Sequence, residues 1–468
     1  MITVNSVRIR SGTKQILFQN FKMRVGQFKY FQSGAKGFLT GALLIAGAIF
    51  LNGQSKTSTI EKQTFLLENT TEGPFWVKTT LIESGVLETP KYNFTSEFDA
   101  EKSEDNIKGI FYEGLPYKGK PTQVFSWYGV PENLAKNDKV PAIVLVHGGG
   151  GTAFVDWVKE WTNRGYIAMA IALEGQIPGD KITGENEKKE YQTFEYSGPK
   201  RQGFFEDVIV EKLEDQWFFH ALADVMLATS LLKSLPNVDE NNIGITGISW
   251  GGILTNVITG VDNRYAFAVP VYGCGYLQET PNYSNLLGQL SKAQQTFYLN
   301  TWEPSLYVPL QKQPTLFVNG TNDFHFTMNS FTKTYEASPN EKYLSIGHNM
   351  KHGHQAGWAS ESIYTFAEYI TNNGTPPELP KLIQNKNKKL LYQYQGKVDK
   401  GYLYYTTDTS DWGKESYQWV ETTAEVSDTS KTISAKLPDE AVAYFINIIN
   451  SEGRMYSSPM RIVDGNRP

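Results

Sequence analysis

The chain has 468 residues, of which 40% are hydrophobic and 20% are charged, and it carries a net charge of −5. This length predicts more than one domain, and an acidic chain without basic runs is not typical of a nucleic-acid-binding protein. Cys274 is the only cysteine, which excludes an internal disulfide. The composition therefore indicates a globular protein with a sizeable core.

The amino-terminal region contains an uncharged apolar run at residues 38–51, preceded by scattered basic residues and followed by a polar stretch. A bilayer-spanning helix needs about 20 apolar residues, so this run is short for an anchor and suits the core of a signal peptide. We predict a signal peptide at 1–53 with a long basic lead, or a later start at Met23. Export to the periplasm or the outside follows, without stable membrane insertion. Residues 54–105 form a polar extension with no clear helical period.

From about residue 120 the pattern alternates between strands and helices. Apolar runs at 142–146 and 166–172 are typical of central parallel strands buried on both faces. A helical spacing over 218–235 ends at a proline. Further strands are predicted at 243–246, 266–271, 315–318 and 343–346, with a last helix at 361–371. The alternation predicts an α/β domain at 106–375, with a mostly parallel sheet and helices on both faces.

The carboxyl-terminal part follows a different pattern. Residues 374–380 are rich in proline, which cannot continue a helix, and they predict a linker. Beyond them, short β-rich runs alternate with turn residues. This spacing predicts a small all-β sandwich of the immunoglobulin-like type at 380–468.

A G-x-S-x-G pentapeptide occupies residues 247–251, between a predicted strand and a predicted helix. A serine on so sharp a turn has its hydroxyl exposed above the sheet edge, and the glycines are needed because a Cβ there would meet the neighbouring strand or helix. Ser249 is therefore the candidate nucleophile.

A histidine and four glycines, residues 147–151, follow the first central strand. Backbone amides of such a loop can stabilise an oxyanion. A phosphate-binding loop is the alternative, but no Lys-Ser or Lys-Thr pair follows the glycines. We predict that Gly149 and Trp250, the residue after the serine, supply the two amides.

A serine nucleophile needs a base, which an acid must orient. Asp323 follows a predicted strand, and the next strand leads into His348, His352 and His354. The order serine, acid, histidine is that of the α/β-hydrolases. His354, just before the last helix, is the preferred base, and His352 is the alternative. His348 lies too close to the strand to reach back easily.

The remaining histidines and the cysteine have less specific interpretations. The three histidines near the end of the domain could bind a metal, but no cluster of Glu or Cys accompanies them, so we expect no metal and no cofactor. His325 and His220 are either pocket residues or structural ones. Cys274 is interpreted as a packed thiol.

Two long insertions, at about 174–217 and 276–312, interrupt the α/β pattern. Such insertions often lie at the carboxyl ends of the strands, above the site. The candidate substrate-binding residues that they carry are Lys200, Arg201, Trp217 and Trp302. Further aromatic residues there could also form walls, or could simply pack the loops: Phe204, Phe205, Tyr283, Tyr298 and Tyr307.

The residues at 147–151, 247–252, 320–323 and 352–358 carry a family resemblance. Over residues 120–375 the chain resembles the exported branch of the α/β-hydrolase superfamily that includes acetyl-xylan-esterase-like and dienelactone-hydrolase-like proteins. It is also similar to the catalytic domain of prolyl oligopeptidases, where a glycine-flanked segment like 353–357 holds the base. That resemblance favours His354. Those peptidases carry a propeller, and the stretch before this core is short for several blades of about 40 residues. Peptidase activity is therefore not expected.

The first functional hypothesis is a secreted serine esterase. It would act through an acyl-enzyme on acyl or methyl esters of plant or algal polysaccharides or oligosaccharides. The second is a lyase or dehydratase that uses the same base and oxyanion hole on a uronate, with Lys200 or Arg201 holding the carboxylate. The third is a carbohydrate-binding protein whose sandwich binds the ligand and whose hydrolase core is vestigial.

Overall fold

The computed structural model describes residues 73–96, 106–179, 181–183, 189–205, 212–410, 412 and 417–463, together with two strands near the amino terminus. The chain divides into two compact units, Met1–Gln63 and Thr64–Pro468. In the first unit, β1 (Ile2–Ser11) and β2 (Lys14–Met23) form an antiparallel hairpin. The apolar run at 38–51 lies outside the described residues, so the signal peptide stays a prediction. Among the helices of the described part, none is long and apolar enough to cross a membrane.

A nine-stranded sheet forms the centre of the second unit. Its strands, in chain order, are β3 (Tyr92–Thr95), β4 (Ile107–Tyr117), β5 (Lys120–Gly129), β6 (Val140–Val146), β7 (Ile167–Ile171), β10 (Val238–Ile248), β11 (Phe267–Val271), β12 (Thr315–Gly320) and β13 (Lys342–Gly347). Between β7 and β10 lie two short strands that pair only with each other, β8 (Ile182–Thr183) and β9 (Lys189–Glu190). The spatial order is β13-β12-β11-β10-β6-β7-β5-β4-β3. The first six strands in this order pair in parallel. Strands β5, β4 and β3 each pair antiparallel with the strand before them in the order. The predicted α/β fold with a mostly parallel sheet is confirmed.

The central strands are continuous apolar segments because both faces of the sheet are covered. Every residue of β7, β11 and β12 is buried. The helices, in chain order, are α1 (Pro74–Glu83), α2 (Val155–Thr162), α3 (Trp217–Ser234), α4 (Trp250–Val261), α5 (Pro281–Gly288), α6 (Lys292–Thr301), α7 (Met328–Ala337), α8 (His354–Trp358) and α9 (Glu361–Thr371). From β6 the chain crosses through α2 to β7. From β10 it crosses through α4 to β11, which lies in the opposite direction along the sheet. Because such crossovers are right-handed, α2 and α4 cover opposite faces.

The nine-stranded sheet begins earlier in the chain than the predicted boundary at residue 106. Strand β3 pairs with β4, and α1 buries Val77 and Leu81 completely. The segment 54–105 therefore supplies an edge strand and a packed helix to this domain. Its helix has no clear apolar period because Phe75 and Ile82, on the same helix, are exposed.

The second insertion folds into regular structure instead of an open loop. It contains α5 and α6, and α6 begins with a capping box in which Ser291 accepts from the Gln294 amide and the Gln294 side chain accepts from the Ser291 amide. These two helices bury Tyr283, Leu287 and Tyr298, which matters for the aromatic residues described below.

The carboxyl-terminal region is an antiparallel sheet. Its strands are β14 (Lys381–Lys386), β15 (Lys389–Gln393), β16 (Lys400–Thr406), β17 (Val420–Ser427), β18 (Thr432–Lys436), β19 (Ala443–Ile449), β20 (Met455–Ser457) and β21 (Arg461–Ile462). Strand β17 pairs with β16 along its first part and with β18 along its last part, so the sheet turns a corner there. The predicted all-β region at the carboxyl terminus is confirmed.

This sheet is attached to β13, the edge strand of the nine-stranded sheet. The Ile346 amide donates to Ser457 Oγ at 2.8 Å, and Asn447 Nδ2 donates to the Ile346 carbonyl at 2.8 Å. Ser457 Oγ also donates to Asn447 Oδ1 at 2.6 Å, and both side chains are buried. The hydrogen-bonding groups of an exposed edge are thus satisfied by side chains of the second sheet.

Candidate active site

Ser249 lies on the turn between β10 and α4, where its backbone is strained. Its φ is 60° and its ψ is −114°, values that non-glycine residues rarely adopt. A Cβ on Gly247 would lie 2.0 Å from the Gly251 carbonyl oxygen, and one on Gly251 would lie 2.0 Å from the Val146 carbonyl oxygen. Both glycines are therefore required for the turn to pass between strand and helix, as the pentapeptide predicts.

Three side chains that are distant in sequence form one chain of hydrogen bonds. Ser249 Oγ lies 2.9 Å from Nε2 of His352, and His352 Nδ1 lies 2.6 Å from Oδ2 of Asp323. Because a carboxylate only accepts, Nδ1 carries the proton and Nε2 is left to accept from the serine hydroxyl. This is the arrangement in which an imidazole can remove the serine proton.

Asp323 is fixed by the loop that follows β12. Its side chain is fully buried, and Oδ1 accepts from the backbone amides of His325 at 2.9 Å and Phe326 at 2.8 Å. The second oxygen is thereby directed at His352. Backbone donors of this kind stabilise the ionised form of a carboxylate that has little access to water.

His352 is oriented by an aromatic residue that sequence reasoning missed. The ring of Tyr272 lies 4.5 Å from the His352 ring, and its hydroxyl donates to the Lys351 carbonyl at 2.7 Å. Tyr272 follows β11 directly, at the same sheet edge as Asp323. Its place after a central strand is the one signal in the sequence that could have identified it.

His354, the preferred base from the sequence, does not reach the serine. Its Nε2 accepts from the Gly148 amide at 2.9 Å, and its ring lies 4.8 Å from that of Phe154. A Cβ on Gly148 would lie 2.9 Å from Ser249 Cβ and 3.2 Å from His354 Nε2, so Gly148 stands between the two residues. The prediction is corrected to its alternative: His352 is the histidine beside Ser249.

His147 and His354 together hold Gly148 in the glycine loop. His147 Nδ1 donates to the Gly148 carbonyl at 2.8 Å, and its Nε2 accepts from the Leu173 amide at 3.1 Å. Both rings must be neutral to accept at Nε2. Burial lowers the pKa of His147 to about 3 and, with the nearby His352, lowers the pKa of His354 to about 4. The loop is therefore held by two imidazoles that are uncharged near neutral pH.

The two predicted oxyanion donors lie beside Ser249. Trp250 is the first residue of α4, where backbone amides lack partners within the helix. The Gly148 amide is engaged by His354, which leaves Gly149 as the next amide of the loop. A Cβ on Gly149 would lie 3.0 Å from Nη2 of Arg201 and 3.1 Å from Cδ1 of Trp250. Gly149, Trp250 and Arg201 thus lie together.

The predicted substrate-binding residues have different environments. Arg201 is near the site, with 16% of its side chain exposed, whereas Lys200 is exposed. Trp217 is buried, and its indole donates to the Leu173 carbonyl at 3.1 Å. Trp302 is completely buried, stacks on Phe218 with ring centroids 4.6 Å apart, and donates to Gln216 Oε1. Trp302 is therefore a core residue and not a substrate wall.

The other aromatic candidates of the second insertion are also core residues. Tyr283 on α5, Tyr298 on α6 and Tyr307 beyond α6 are each at most 1% exposed. In the first insertion, Phe205 is buried and Phe204 is half-buried, and the Phe204 ring lies 6.1 Å from that of Trp250. Phe204 is thus the aromatic candidate that keeps partial access to solvent beside the site.

The structure also shows the surroundings of Cys274, His220 and His325. Cys274 is completely buried, and burial raises the pKa of its thiol. His220 is buried, and its Nε2 lies 2.9 Å from the Glu214 carbonyl oxygen. His325 lies nearer the chemistry, since its ring is 4.9 Å from that of His352, and burial lowers its pKa to about 4.

The loops that carry the acid and the histidine contact the carboxyl-terminal sheet. Asn322, next to Asp323, donates through Nδ2 to the Tyr417 carbonyl. His348 Nε2 lies 3.3 Å from the Trp419 carbonyl oxygen, and its Nδ1 lies 3.5 Å from Glu421. The second sheet therefore supports this side of the site without contributing a residue to the hydrogen-bond chain.

Two family models match the chain. One described as acetyl xylan esterase matches residues 74–284, and one described as the prolyl oligopeptidase family matches residues 209–371. The first includes the glycine loop and Ser249, and the second includes Ser249, Asp323 and His352. Each model covers less than half of the chain, and the two overlap at the nucleophile.

Solved structures with similar folds include two esterases. The acetyl xylan esterase from Paenibacillus sp. R4 is 18% identical and aligns with a TM-score of 0.51, covering 68% of this chain and 100% of that one. Acetyl xylan esterase 1 from Thermoanaerobacterium sp. JW/SL YS485 is 14% identical, with a TM-score of 0.50, and the alignment covers 69% and 99%. These likenesses show the α/β-hydrolase fold.

Among curated proteins, probable dipeptidyl-peptidase 5 of Aspergillus clavatus is 26% identical over 174 residues. The protein of the same description from Aspergillus terreus is 26% identical over 168 residues. Each match covers 35% of this chain and 20% of the relative. The chain thus aligns with about a fifth of the length of these peptidases, and the recognised families are all α/β-hydrolases.

Proposed function

Starting from an α/β-hydrolase that matches esterase and serine-peptidase families, we propose that this protein is a serine ester hydrolase acting on acyl or methyl esters of polysaccharides or oligosaccharides. The observation that carries the proposal is the hydrogen-bond chain from Ser249 through His352 to Asp323, with spacings of 2.9 and 2.6 Å. These distances allow proton transfer from the hydroxyl as it attacks a carbonyl carbon.

The reaction proceeds in two halves at the same serine. Ser249 Oγ attacks the ester carbonyl while His352 takes its proton, and Asp323 stabilises the resulting imidazolium. The amides of Gly149 and Trp250 donate to the tetrahedral oxyanion. His352 then gives the proton to the departing alcohol. In the second half, His352 removes a proton from water as the water attacks the acyl-enzyme carbonyl. His352 then returns that proton to Ser249 Oγ as the bond to the acyl group breaks and the acid leaves.

Esters are favoured over peptides by how the relatives align. The two acetyl xylan esterases align over 99% or more of their own chains and over about two thirds of this one. The dipeptidyl-peptidase relatives align with this chain over only about a fifth of their own length. Acetyl groups on a plant or algal glycan are therefore the first substrates to test, followed by methyl esters.

A fluorophosphonate probe tests the nucleophile and the base together. The wild-type protein is expected to be labelled, labelling is expected to vanish in Ser249→Ala, and His352→Ala is expected to slow it far more than His354→Ala. The three proteins are then assayed on acetylated and methyl-esterified oligosaccharides. Labelling that survives in Ser249→Ala would contradict the proposal. An unsaturated uronate product, detected by ultraviolet absorbance, would show that the reaction is elimination and not hydrolysis.

The proposal includes export to the periplasm or the outside. Its support is the apolar run at 38–51 and the basic residues before it. Expression of the full chain in a Gram-negative host, followed by cell fractionation and amino-terminal sequencing, tests this part. A mature protein that begins shortly after residue 51 is expected, and an uncleaved cytoplasmic protein would contradict it.

A further inference from the structure

Arg201 is a partly buried cation beside the reacting centre, and the proposed mechanism does not use it. Its guanidinium carbon lies 5.2 Å from the ring centroid of Trp250 and 5.9 Å from those of Trp217 and Phe204. Three aromatic rings therefore hold the group in one position and exclude much of the water around it. Because arginine stays protonated in proteins, this position carries a permanent positive charge.

The guanidinium uses few of its donors within the described part of the protein. Nη1 donates to the Gly203 carbonyl, and Nε is buried with no hydrogen-bond partner among the described residues. Glu174 is the nearby acid, but its Oε1 is 3.8 Å from Nε, which is longer than a hydrogen bond. Nη2 lies next to Gly149, since a Cβ built on Gly149 would be 3.0 Å from this nitrogen. A planar donor is thus left directed at the loop beside Ser249.

A second cation lies on the other side of the same loop. Lys181 Nζ donates to the Gly150 carbonyl at 2.7 Å. The glycine loop is therefore bracketed by Lys181 and Arg201, with only Glu174 close enough to Arg201 for an ion pair in the described residues. Lys181 is exposed, whereas Arg201 is enclosed by aromatic rings, and two positive charges beside one loop favour a bound anion over a neutral group.

We infer that Arg201 binds a carboxylate of the substrate, so that the preferred substrates are esters of acidic, uronate-containing oligosaccharides. This inference rests on the proposed ester hydrolysis and narrows its substrate class. A guanidinium binds a carboxylate through two parallel hydrogen bonds, and the position next to Gly149 places that carboxylate on the esterified sugar or its neighbour. A neutral acetylated xylan fragment offers no carboxylate to the Nη2 donor, so Glu174 would be the one acid near this charge among the described residues.

The test compares two substrates that differ only in charge. One is an acetylated oligogalacturonate, and the other is the same compound with its carboxylates converted to primary amides. The wild type is expected to prefer the charged form by about 10- to 100-fold in kcat/KM, mainly through KM, because a charge-assisted hydrogen bond has this effect. The preference is expected to shrink as salt is added.

Arg201→Gln is expected to abolish the preference, and Arg201→Lys to retain part of it. Lys212→Gln removes the same charge at an exposed position of the same insertion and is expected to keep the wild-type ratio. Thermal unfolding of each variant confirms that it is folded. A wild type without preference, or an Arg201→Gln variant that loses the same factor on both substrates, would overturn the inference. The second result would mean that Arg201 acts on the oxyanion or on the fold.

Binding separates this inference from the proposed function. Titration calorimetry with the deacetylated oligogalacturonate is expected to give a Kd about 10- to 100-fold weaker for Arg201→Gln than for wild type. Arg201-dependent binding without ester turnover would support the inference and contradict the proposed hydrolysis. Ester turnover without Arg201-dependent binding would support the proposed hydrolysis and contradict the inference about Arg201.

Discussion

The two sides of the candidate active site are built in different ways. Ser249 is positioned by its immediate neighbours in sequence, since Gly247 and Gly251 allow the turn between β10 and α4. Asp323 and His352 lie on loops whose positions depend on distant residues, among them Tyr272 and Tyr417. The nucleophile side is therefore a local structure, and the acid–histidine side is a tertiary one.

This difference explains which substitutions should act on chemistry and which on folding. A change at the turn of Ser249 meets backbone atoms that cannot move away. A change on the acid–histidine side removes a contact that several neighbours share. The following predictions separate the two sides, and they run from the largest expected effect to the smallest.

The pair His352→Ala and His354→Ala gives the largest contrast. We expect His352→Ala to lower kcat on an activated acetyl ester by about 10⁴-fold, since the serine loses its base. His354→Ala removes only the acceptor of the Gly148 amide, so we expect a loss of about tenfold. Steady-state kinetics with the purified variants measure both. Equal losses would mean that the acid–histidine side is not arranged as described.

Gly251→Ala tests the nucleophile side. The added Cβ would lie 2.0 Å from the Val146 carbonyl oxygen, so the turn or the strand must shift. We expect a loss of about 3 kcal/mol in the free energy of unfolding, together with loss of fluorophosphonate labelling. Gly288→Ala is the matched control, because nothing lies within 4 Å of its Cβ position. A stable, fully labelled Gly251→Ala protein would refute the local origin of this turn.

Ser457→Ala tests the support that the carboxyl-terminal sheet gives to β13. It leaves the Ile346 amide and Asn447 Oδ1 without their partner in a buried place. We expect about 1 to 3 kcal/mol of destabilisation in urea unfolding. Ser430→Ala, at an exposed position, is expected to have no measurable effect. An unchanged midpoint for Ser457→Ala would show that the two sheets are not coupled at this edge.

The pH dependence of stability tests the neutral state of His354. Its folded pKa, about 4, lies below the ordinary value of 6.5, so the unfolded chain takes up the proton first as the pH falls. Stability is therefore lost from pH 6.5 down to about 4, by about 1 kcal/mol per pH unit at most from this residue. His354→Gln keeps an acceptor for Gly148 without a titration. Its unfolding free energy is expected to fall less over this range, and an identical slope would contradict the assignment.

Much of the fold could be read from periodicity. The apolar runs at 142–146 and 166–172 lie within or around β6 and β7, and the predicted final helix coincides with α9. The amino-terminal helix α1 escaped prediction because exposed Phe75 and Ile82 obscure its buried face. The sequence predicts Trp302 as a substrate wall because an insertion without clear periodicity does not show that its side chains join the main core.

The sequence by itself determined the nucleophile, because the glycines around Ser249 act on the atoms next to them in the chain. It also determined the acid, since Asp323 directly follows a buried strand. Only the tertiary structure decided between His352 and His354. The two lie two residues apart, and the choice depends on Tyr272 packing against one ring while Gly148 and Phe154 engage the other. Those contacts join segments that no local pattern connects.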